Sequence, residues 1–398
     1  MNTKSTTLTV FVFTMLLTNT SFADWLAFRG SDSNGVAAGV APRMCDEDSV
    51  AWKVDVPGKG VSSPIVIGDQ VVVTASSGVE QERLHVISYD ANDGSIRWHR
   101  QFWATGRTMC HTTSANAAPT PASDGKHIVA FFSSNDVVCL GIDGDLNWFR
   151  GLASDNPKLG NDIGMASSPM IANGVVVCQA ESQGDSFVEA MKVKDGTTLW
   201  KQERPKDSNW TSPVHIPATD DVGDLVVIKS SQNVSAHNLE TGDEVWKIDE
   251  EVDGIPCMVV TESRIYVPGS SFLAVDRKGD KAEVAWKSNK IKPSPSPIVT
   301  EDLLIYINSA GVLNCHSTES GDRLWQERVG GKYWASPIMD AEGFVYAFND
   351  RGTMTIVSPE GEKVATHEFD GTIMGTPAIS DGSIYVRGVE KLWKVVSK

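Results

Sequence analysis

The sequence predicts an all-β chain: an eight-bladed β-propeller of four-stranded antiparallel blades, its ring closed by the N-terminal strand. Three observations predict it. A Pro, in most cases after Ser or Thr, opens an apolar run at Pro64, Pro119, Pro169, Pro213, Pro256, Pro297, Pro337 and Pro377. A Trp ends the unit at Trp52, Trp98, Trp148, Trp200, Trp246, Trp286 and Trp325, with Ala365 in the remaining slot. The two marks are also out of phase by one strand at the ends of the chain. Repeats of this length are the signature of propellers and solenoids.

Taken in order, residues 1–23 read as a secretory leader. Lys4 precedes an apolar run from Leu8 to Leu17, and Ser21-Phe22-Ala23 supplies a small-x-small end. The mature chain is expected to begin at Asp24, with an N-terminal extension over 24–48 and a single propeller domain over 49–398. Within a unit the text is short and strand-like, as in Val71-Val72-Val73, Leu225 to Ile228 and Leu303 to Ile307, each bounded by Gly or Asp. No segment sustains a helical period. Gly94, Gly144, Gly196, Gly242 and Gly321 each stand four residues before a Trp. Such a Gly supplies the positive φ of a tight hairpin and places the Trp in the returning strand. Each unit therefore holds about four strands, the size of a propeller blade. A blade cannot bury its own faces, so the recurring Trp is expected to pack between neighbouring sheets.

The chain ends predict closure. The eighth unit has its Pro377 and strands near Ile384 to Val386 and Leu392 to Val395, then stops without a Trp-bearing strand. That strand stands at the other end, in Val50-Ala51-Trp52-Lys53-Val54, with no unit before it. Joining the two completes the last blade and removes open sheet edges.

Composition excludes several classes of function. A net charge of -16 opposes binding to a phosphate backbone or an anionic membrane surface. No stretch after the leader reaches the roughly 20 apolar residues that a membrane helix needs. Cys139, Cys178 and Cys315 stand in strand text and are expected to be buried thiols. The six cysteines permit many pairings and the sequence does not choose among them; Cys45 and Cys110, both in loop text, form the leading pair. Dinucleotide, P-loop, zinc-protease and nucleophile-elbow motifs are absent from the text. Asp90-Ala91-Asn92-Asp93-Gly94 lacks the Glu that closes an EF-hand and reads as a hairpin turn. No acid/base pair stands out, and catalytic, cofactor-binding and metal residues are all expected to be none.

Two places are candidates for contact with a partner or ligand. The loop over 102–118 gathers Trp103, Arg107, Cys110 and His111 in one polar stretch, and loops on a rigid scaffold are where binding residues collect. The position three residues before each repeat Pro is mostly small or polar, but Trp210, Trp334 and Met374 are large. The chain enters the innermost strand there, near a mouth of the axial channel.

The unit Ser-Pro, strand, strand, Gly-x-x-x-Trp resembles the repeat of pyrroloquinoline-quinone-like propellers over roughly residues 49–398. Asp24-Trp25-Leu26-Ala27-Phe28-Arg29-Gly30 resembles the Trp-x-x-Phe-Arg-Gly opening of secreted bacterial members. The catalytic quinoprotein branch would imply adjacent cysteines, carboxylate and amide ligands for Ca²⁺ and an Asp base. The nearest text here is Cys110-His111, so the resemblance favours the non-catalytic, BamB-like branch of outer-membrane assembly proteins, although that branch's lipid-anchor Cys has no counterpart near position 24. It implies an exported scaffold, periplasmic or secreted, that binds protein partners of the cell envelope without a cofactor. A quinone- and calcium-dependent oxidoreductase and a sugar- or polymer-binding module are the alternatives. Oligomeric state is not legible.

Overall fold

Eight four-stranded antiparallel sheets are present in the computed structural model, which describes residues 24–44 and 46–397. The leader expected over 1–23 and Cys45 lie outside the described residues. Cys110 forms no disulfide, and Cys139, Cys178, Cys257 and Cys315 are free and buried. Blade 1 shows the plan: Ile65–Ile67 lines the channel, followed outward by Gln70–Ser77, Arg83–Asp90 and Ile96–Trp103. Its middle strands are buried on both faces, with Thr74, His85 and Ser88 among the apolar residues, whereas the outermost strand alternates because only one face meets a neighbour. Blades 2 to 7 repeat this order over 122–151, 170–203, 214–249, 259–288, 298–328 and 338–368.

The ring closes as the strand count requires. Blade 8 takes Ala378–Ser380, Ser383–Arg387 and Lys391–Val396 from the C-terminal end and Val50–Asp55 from the N-terminal end. The closing register pairs Trp52 with Lys394 and Val54 with Leu392. Asp370 adds surface ion pairs to Lys53 at 2.5 Å and Lys391 at 2.8 Å, one on each of the joined strands.

The Trp and Gly marks meet across blade junctions. Trp52, Trp98, Trp148, Trp200 and Trp325 each lie over the turn glycine of the next blade: Gly94, Gly144, Gly196, Gly242 and Gly361. A methyl group on Gly144 or Gly196 would stand 2.6 or 2.7 Å from the indole, closer than carbon atoms approach. Each of these indole N–H groups donates to a backbone carbonyl of the same turn, as from Trp148 to Val193 at 2.7 Å and Trp52 to Ala91 at 3.1 Å. The glycine therefore serves two needs, a positive φ and room for the neighbouring blade's indole. Blade 8 explains the odd slot at Ala365. Its third and fourth strands come from opposite chain ends, so it has no hairpin turn there for a Trp of blade 7 to cover.

A second ring runs around the channel. At six of the eight junctions the side chain before an inner strand accepts a hydrogen bond from the backbone N–H of its counterpart in the preceding blade: Ser63 to Thr120 at 2.9 Å, Thr120 to Ser168 at 3.0 Å and Ser168 to Ser212 at 2.9 Å. The series continues from Ser212 to the Cys257 thiol at 3.3 Å, from Cys257 to Ser296 at 2.9 Å and from Ser336 to Thr376 at 3.0 Å. This ring corrects two of the sequence marks. In blade 2 the equivalent Pro is Pro121, not Pro119, because Thr120 holds the ring position and the strand begins at Ala122. In blade 5 the pair is Cys257-Met258, directly after Pro256, with the thiol replacing the hydroxyl.

The N-terminal extension lies across the channel as a strap. Trp25 exchanges main-chain hydrogen bonds with Val66 of blade 1, at 3.0 and 2.9 Å, and Ser123 of blade 2 donates to Leu26 at 2.8 Å. Farther on, Met339 of blade 7 donates to Gly35 and accepts from Ala37, both at 2.8 Å. Arg43 then pairs with the buried Asp340 and, at 2.7 Å, with Glu342. Trp25 packs in the same apolar cluster as Ile338, Phe348, Trp52 and Trp393, so the strap is part of the core between blades 7, 8 and 1.

Candidate functional site

Antiparallel strands place the loops entering each blade and the turns between its second and third strands at one mouth of the channel. That mouth carries the residues singled out from sequence. Trp210 is half-buried, and its indole donates to the Gly164 carbonyl at 2.9 Å. Trp334 is 52% exposed. Met374 is half-buried, between Ile373, which bridges to Gly388, and Gly375, which lies against the Ser62 carbonyl. With blade 5 in its corrected register, Ile255 takes the same entry position and is 53% exposed. Sequence reasoning missed it because Pro256 was read as the repeat mark. Val61, Ala118, Ala166 and Ser294 fill the other four entry positions, so large side chains stand only at blades 4, 5, 7 and 8.

The 102–118 loop is laced to the next entry loop. Arg107 makes an ion pair with Asp162 at 3.0 Å, and the His111 backbone donates to Ile163 at 3.0 Å. The His111 ring faces Thr113 Oγ1 at 2.9 Å. Cys110 lies beside Gly164, and burial raises the pKa of its thiol. Arg107, His111 and Trp210 thus converge on the 162–164 segment, while Trp334 and Met374 stand across the mouth on blades 7 and 8. Trp103 ends the outer strand of blade 1, with the Arg83 guanidinium 5.5 Å over its ring, and is not drawn into this group.

Beneath this mouth lies a buried polar cluster that the sequence reading did not single out. Glu181 accepts from Arg204 at 3.2 Å, Ser230 at 2.5 Å, Gln179 at 2.9 Å and Asn209 at 2.9 Å. Lys229 donates to the carbonyls of Gly254 at 3.0 Å, Pro256 at 3.1 Å and Pro268 at 2.5 Å. Burial lowers the Lys229 pKa to about 8. The available signal was a charge closing an apolar strand, as in Leu-Val-Val-Ile-Lys.

The opposite mouth holds a cavity of about 740 Å³, bounded by the strap on one side and the inner strands of blades 3 to 6 on the other. Arg29 of the strap is fully buried at its wall. It donates to the carbonyls of Asn34 at 3.1 Å, Met258 at 3.5 Å and Pro297, and burial lowers its pKa to about 10. The quinone and Ca²⁺ of the catalytic branch do not fit this wall. Its carboxylates are dispersed: Asp124 serves His127 and the turn around it, Glu301 accepts from the Glu262 backbone and Ser263, and among the described residues no three His, Cys, Asp or Glu gather around one point.

A ring of eight blades, seven opened by Ser/Thr-Pro and five of their junctions locked by Trp on Gly, defines a pyrroloquinoline-quinone-like propeller. The chain belongs to the family described as outer membrane protein assembly factor BamB, whose model matches residues 32–203 and 184–395. Proteins of that name from Yersinia pestis and Moranella endobia (strain PCIT) are each 23% identical to it, over 69% and 67% of this chain and 70% and 66% of their own lengths. The crystal structure of BamB from Moraxella catarrhalis superposes with a TM-score of 0.62 at 16% identity, covering 86% of this chain and 96% of that one. A europium-containing methanol dehydrogenase superposes with a TM-score of 0.71 at 13% identity, covering 93% and 90%. At such identities the two superpositions speak for the fold alone.

Proposed function

We propose that the protein is an exported, non-catalytic scaffold of the cell envelope that binds protein partners in outer-membrane protein assembly. The apolar arc at the entry-loop mouth, Trp210, Ile255, Trp334 and Met374, supports this reading most directly. Two of its members are more than half exposed on a rigid ring, where the fold does not require large side chains. Membership of the BamB family and the assembly role in its relatives' names supply the class of partner. A leader over 1–23 is consistent with export, and among the described residues no helix is long and apolar enough to cross a membrane.

The test is affinity capture from envelope extract with wild type and with Trp334→Ala/Ile255→Ser. Both residues are about half exposed and outside the apolar clusters of the core, so the melting curve should move little. Interface anchors of this kind are often worth about 2 kcal/mol or more each, so recovery of outer-membrane assembly proteins should fall at least tenfold. Undiminished recovery by the folded double variant would remove this mouth as the docking site.

A further inference from the structure

The inner strand of every blade presents one residue whose N–H and C=O face the channel rather than the sheet. In register these are Val66, Ser123, Ile171, His215, Val260, Val299, Met339 and Ile379, opposite Val71, Ile128, Val176, Val226, Ile265, Leu304, Val345 and Ile384 of the second strands. The turn bonds fix this orientation in blades 5 and 6. Thr261 and Thr300 close their hairpins on Arg264 and Leu303 at 2.8 and 2.9 Å, so Val260 and Val299, one residue back, turn the other way. The strap uses three of these edges, pairing with Val66, Ser123 and Met339. Ile379 is sealed in the apolar cluster that holds Trp25 and Ala37. The remaining four, Ile171, His215, Val260 and Val299, are consecutive around the ring, and all four line the 740 Å³ cavity. The strap draws on none of these four.

We propose that this half of the channel mouth binds an extended, basic polypeptide segment from another protein by main-chain pairing, as the strap pairs on the other half. A main-chain N–H turned away from its own sheet is open to pairing with an incoming backbone, and strand addition to an open edge is a recurring mode of peptide recognition. The strap itself demonstrates the geometry: consecutive residues Trp25 and Leu26 present their carbonyls to consecutive blades 1 and 2, at 2.9 and 2.8 Å. The volume falls within the range of about 300–1,000 Å³ usual for ligand sites. Charge selects the occupant. The exposed carboxylates of Asp32, Glu262 and Glu301 stand at the lip, while Arg277 spends its guanidinium on the Thr261 and Glu262 carbonyls at 2.7 and 2.8 Å. A segment alternating apolar and basic side chains would set the former against Ile171, Val214 and Met258 and the latter against these carboxylates. This site lies at the opposite mouth from the apolar arc and does not depend on it.

The probe is an end-capped octapeptide of alternating Val and Lys, with the Val and Glu counterpart as control, added to the mature protein. Binding of the first and not the second is expected, together with at least tenfold slower amide hydrogen exchange at Ile171, His215, Val260 and Val299 and no change at Val66. Ile171→Pro/His215→Pro removes two channel-facing N–H groups that the sheet does not use, and should weaken binding at least tenfold. Asp32→Lys/Glu262→Lys changes two exposed side chains at the lip, keeps the test available if the proline variant unfolds, and should weaken binding as much. Failure of the Val–Lys peptide to bind, equal binding of the Val–Glu peptide, full binding by the charge-reversed variant, or faster exchange at Val66, meaning that the peptide displaced the strap, would each overturn the proposal. Trp334→Ala/Ile255→Ser should bind the peptide as wild type does, which separates this site from the arc.

Discussion

Two arcs of the ring are built to different rules. From blade 8 round to blade 4, each junction carries a Trp laid on the next blade's turn glycine, at Trp52, Trp98, Trp148 and Trp200. On either side of blade 5 the lock is missing: a methyl group on Gly279 or Gly321 would meet no indole within 4 Å. Trp286 instead packs within its own blade, its ring 5.9 Å from Phe272 and 6.3 Å from Tyr266. Blade 5 has also exchanged Ser-Pro for Cys257-Met258. Two buried cations hold its entry loop in place of the lost contacts, Lys229 through the Gly254, Pro256 and Pro268 carbonyls and Arg29 through that of Met258. A repeat can thus lose its apolar lock where charged side chains reach its main chain, but the substitute carries the cost of keeping both cations desolvated. The same arc borders the cavity and bears the exposed Ile255, so the departure from regularity coincides with the surfaces available for binding.

The largest effect is expected where a lock and the ring closure coincide. Trp52 lies on the closing strand, is buried against Gly94 and approaches Tyr385 at 6.1 Å between ring centroids. Truncating such a side chain costs about 3–5 kcal/mol. Trp52→Ala should therefore lower the melting temperature clearly, and deletion of 49–54 should do so further by exposing the edge of Lys391–Val396. Trp246→Ala, on the unlocked arc and only partly buried, should cost less than half as much. Equal losses in the two variants, measured by denaturant unfolding, would remove the distinction between the arcs.

Two glycines separate backbone strain from packing. Gly196 and Gly321 have nearly the same φ, 71° and 74°, in the same hairpin position. Forcing a Cβ into this region costs about 1–2 kcal/mol by itself, and that is the whole cost expected for Gly321→Ala. Gly196→Ala adds a collision with Trp148, and overpacking of this kind costs roughly 1–3 kcal/mol more. Combining Gly196→Ala with Trp148→Ala should recover that second part. If the two glycine variants unfold at the same denaturant concentration, the indole is not what makes the lock.

How much of this could be read beforehand follows from what leaves a period in the text. The blades, their number and the closure were legible because the same packing problem recurs at every junction and is met with the same residues; the out-of-phase Trp52 then needed only counting. Trp210, Trp334 and Met374 were visible as large residues at a fixed offset from a mark. Ile255 was hidden because Cys257 performs the hydroxyl's task without resembling it and Pro256 stands two residues away from the true register. The strap was illegible for a stronger reason: it pairs with inner strands one or two residues at a time, so its contacts impose no alternation, and only the local Trp25 to Gly30 text marked it. The four open edges around the cavity are main-chain groups and have no side-chain signal at all.

The smallest expected effect asks whether the locked arc has a weak point of its own. In blade 1, His85 bonds through Nδ1 to His99 Nε2 at 2.9 Å and through Nε2 to Ser77 Oγ at 2.7 Å. Burial, and then the proximity of His99 and Arg83, lower its pKa to about 4. An unfolded chain protonates an ordinary His near 6.5. The stability that this neutral ring contributes is therefore present in full above about pH 6.5 and is lost as the pH falls towards 4, because over that window only the unfolded chain takes up the proton. Discounted for solvent near the partly exposed His99, the loss should be about 1–2 kcal/mol between pH 7 and pH 4.5. His85→Gln keeps a hydrogen-bonding side chain but cannot titrate, so its stability relative to wild type should rise by that amount over the same interval. Carboxylates and the histidines outside this pair titrate equally in both proteins and cancel from the difference. A variant that weakens in parallel with wild type from pH 7 to 4.5 would show that the buried histidine pair carries no such penalty and that the acid sensitivity of the ring lies elsewhere.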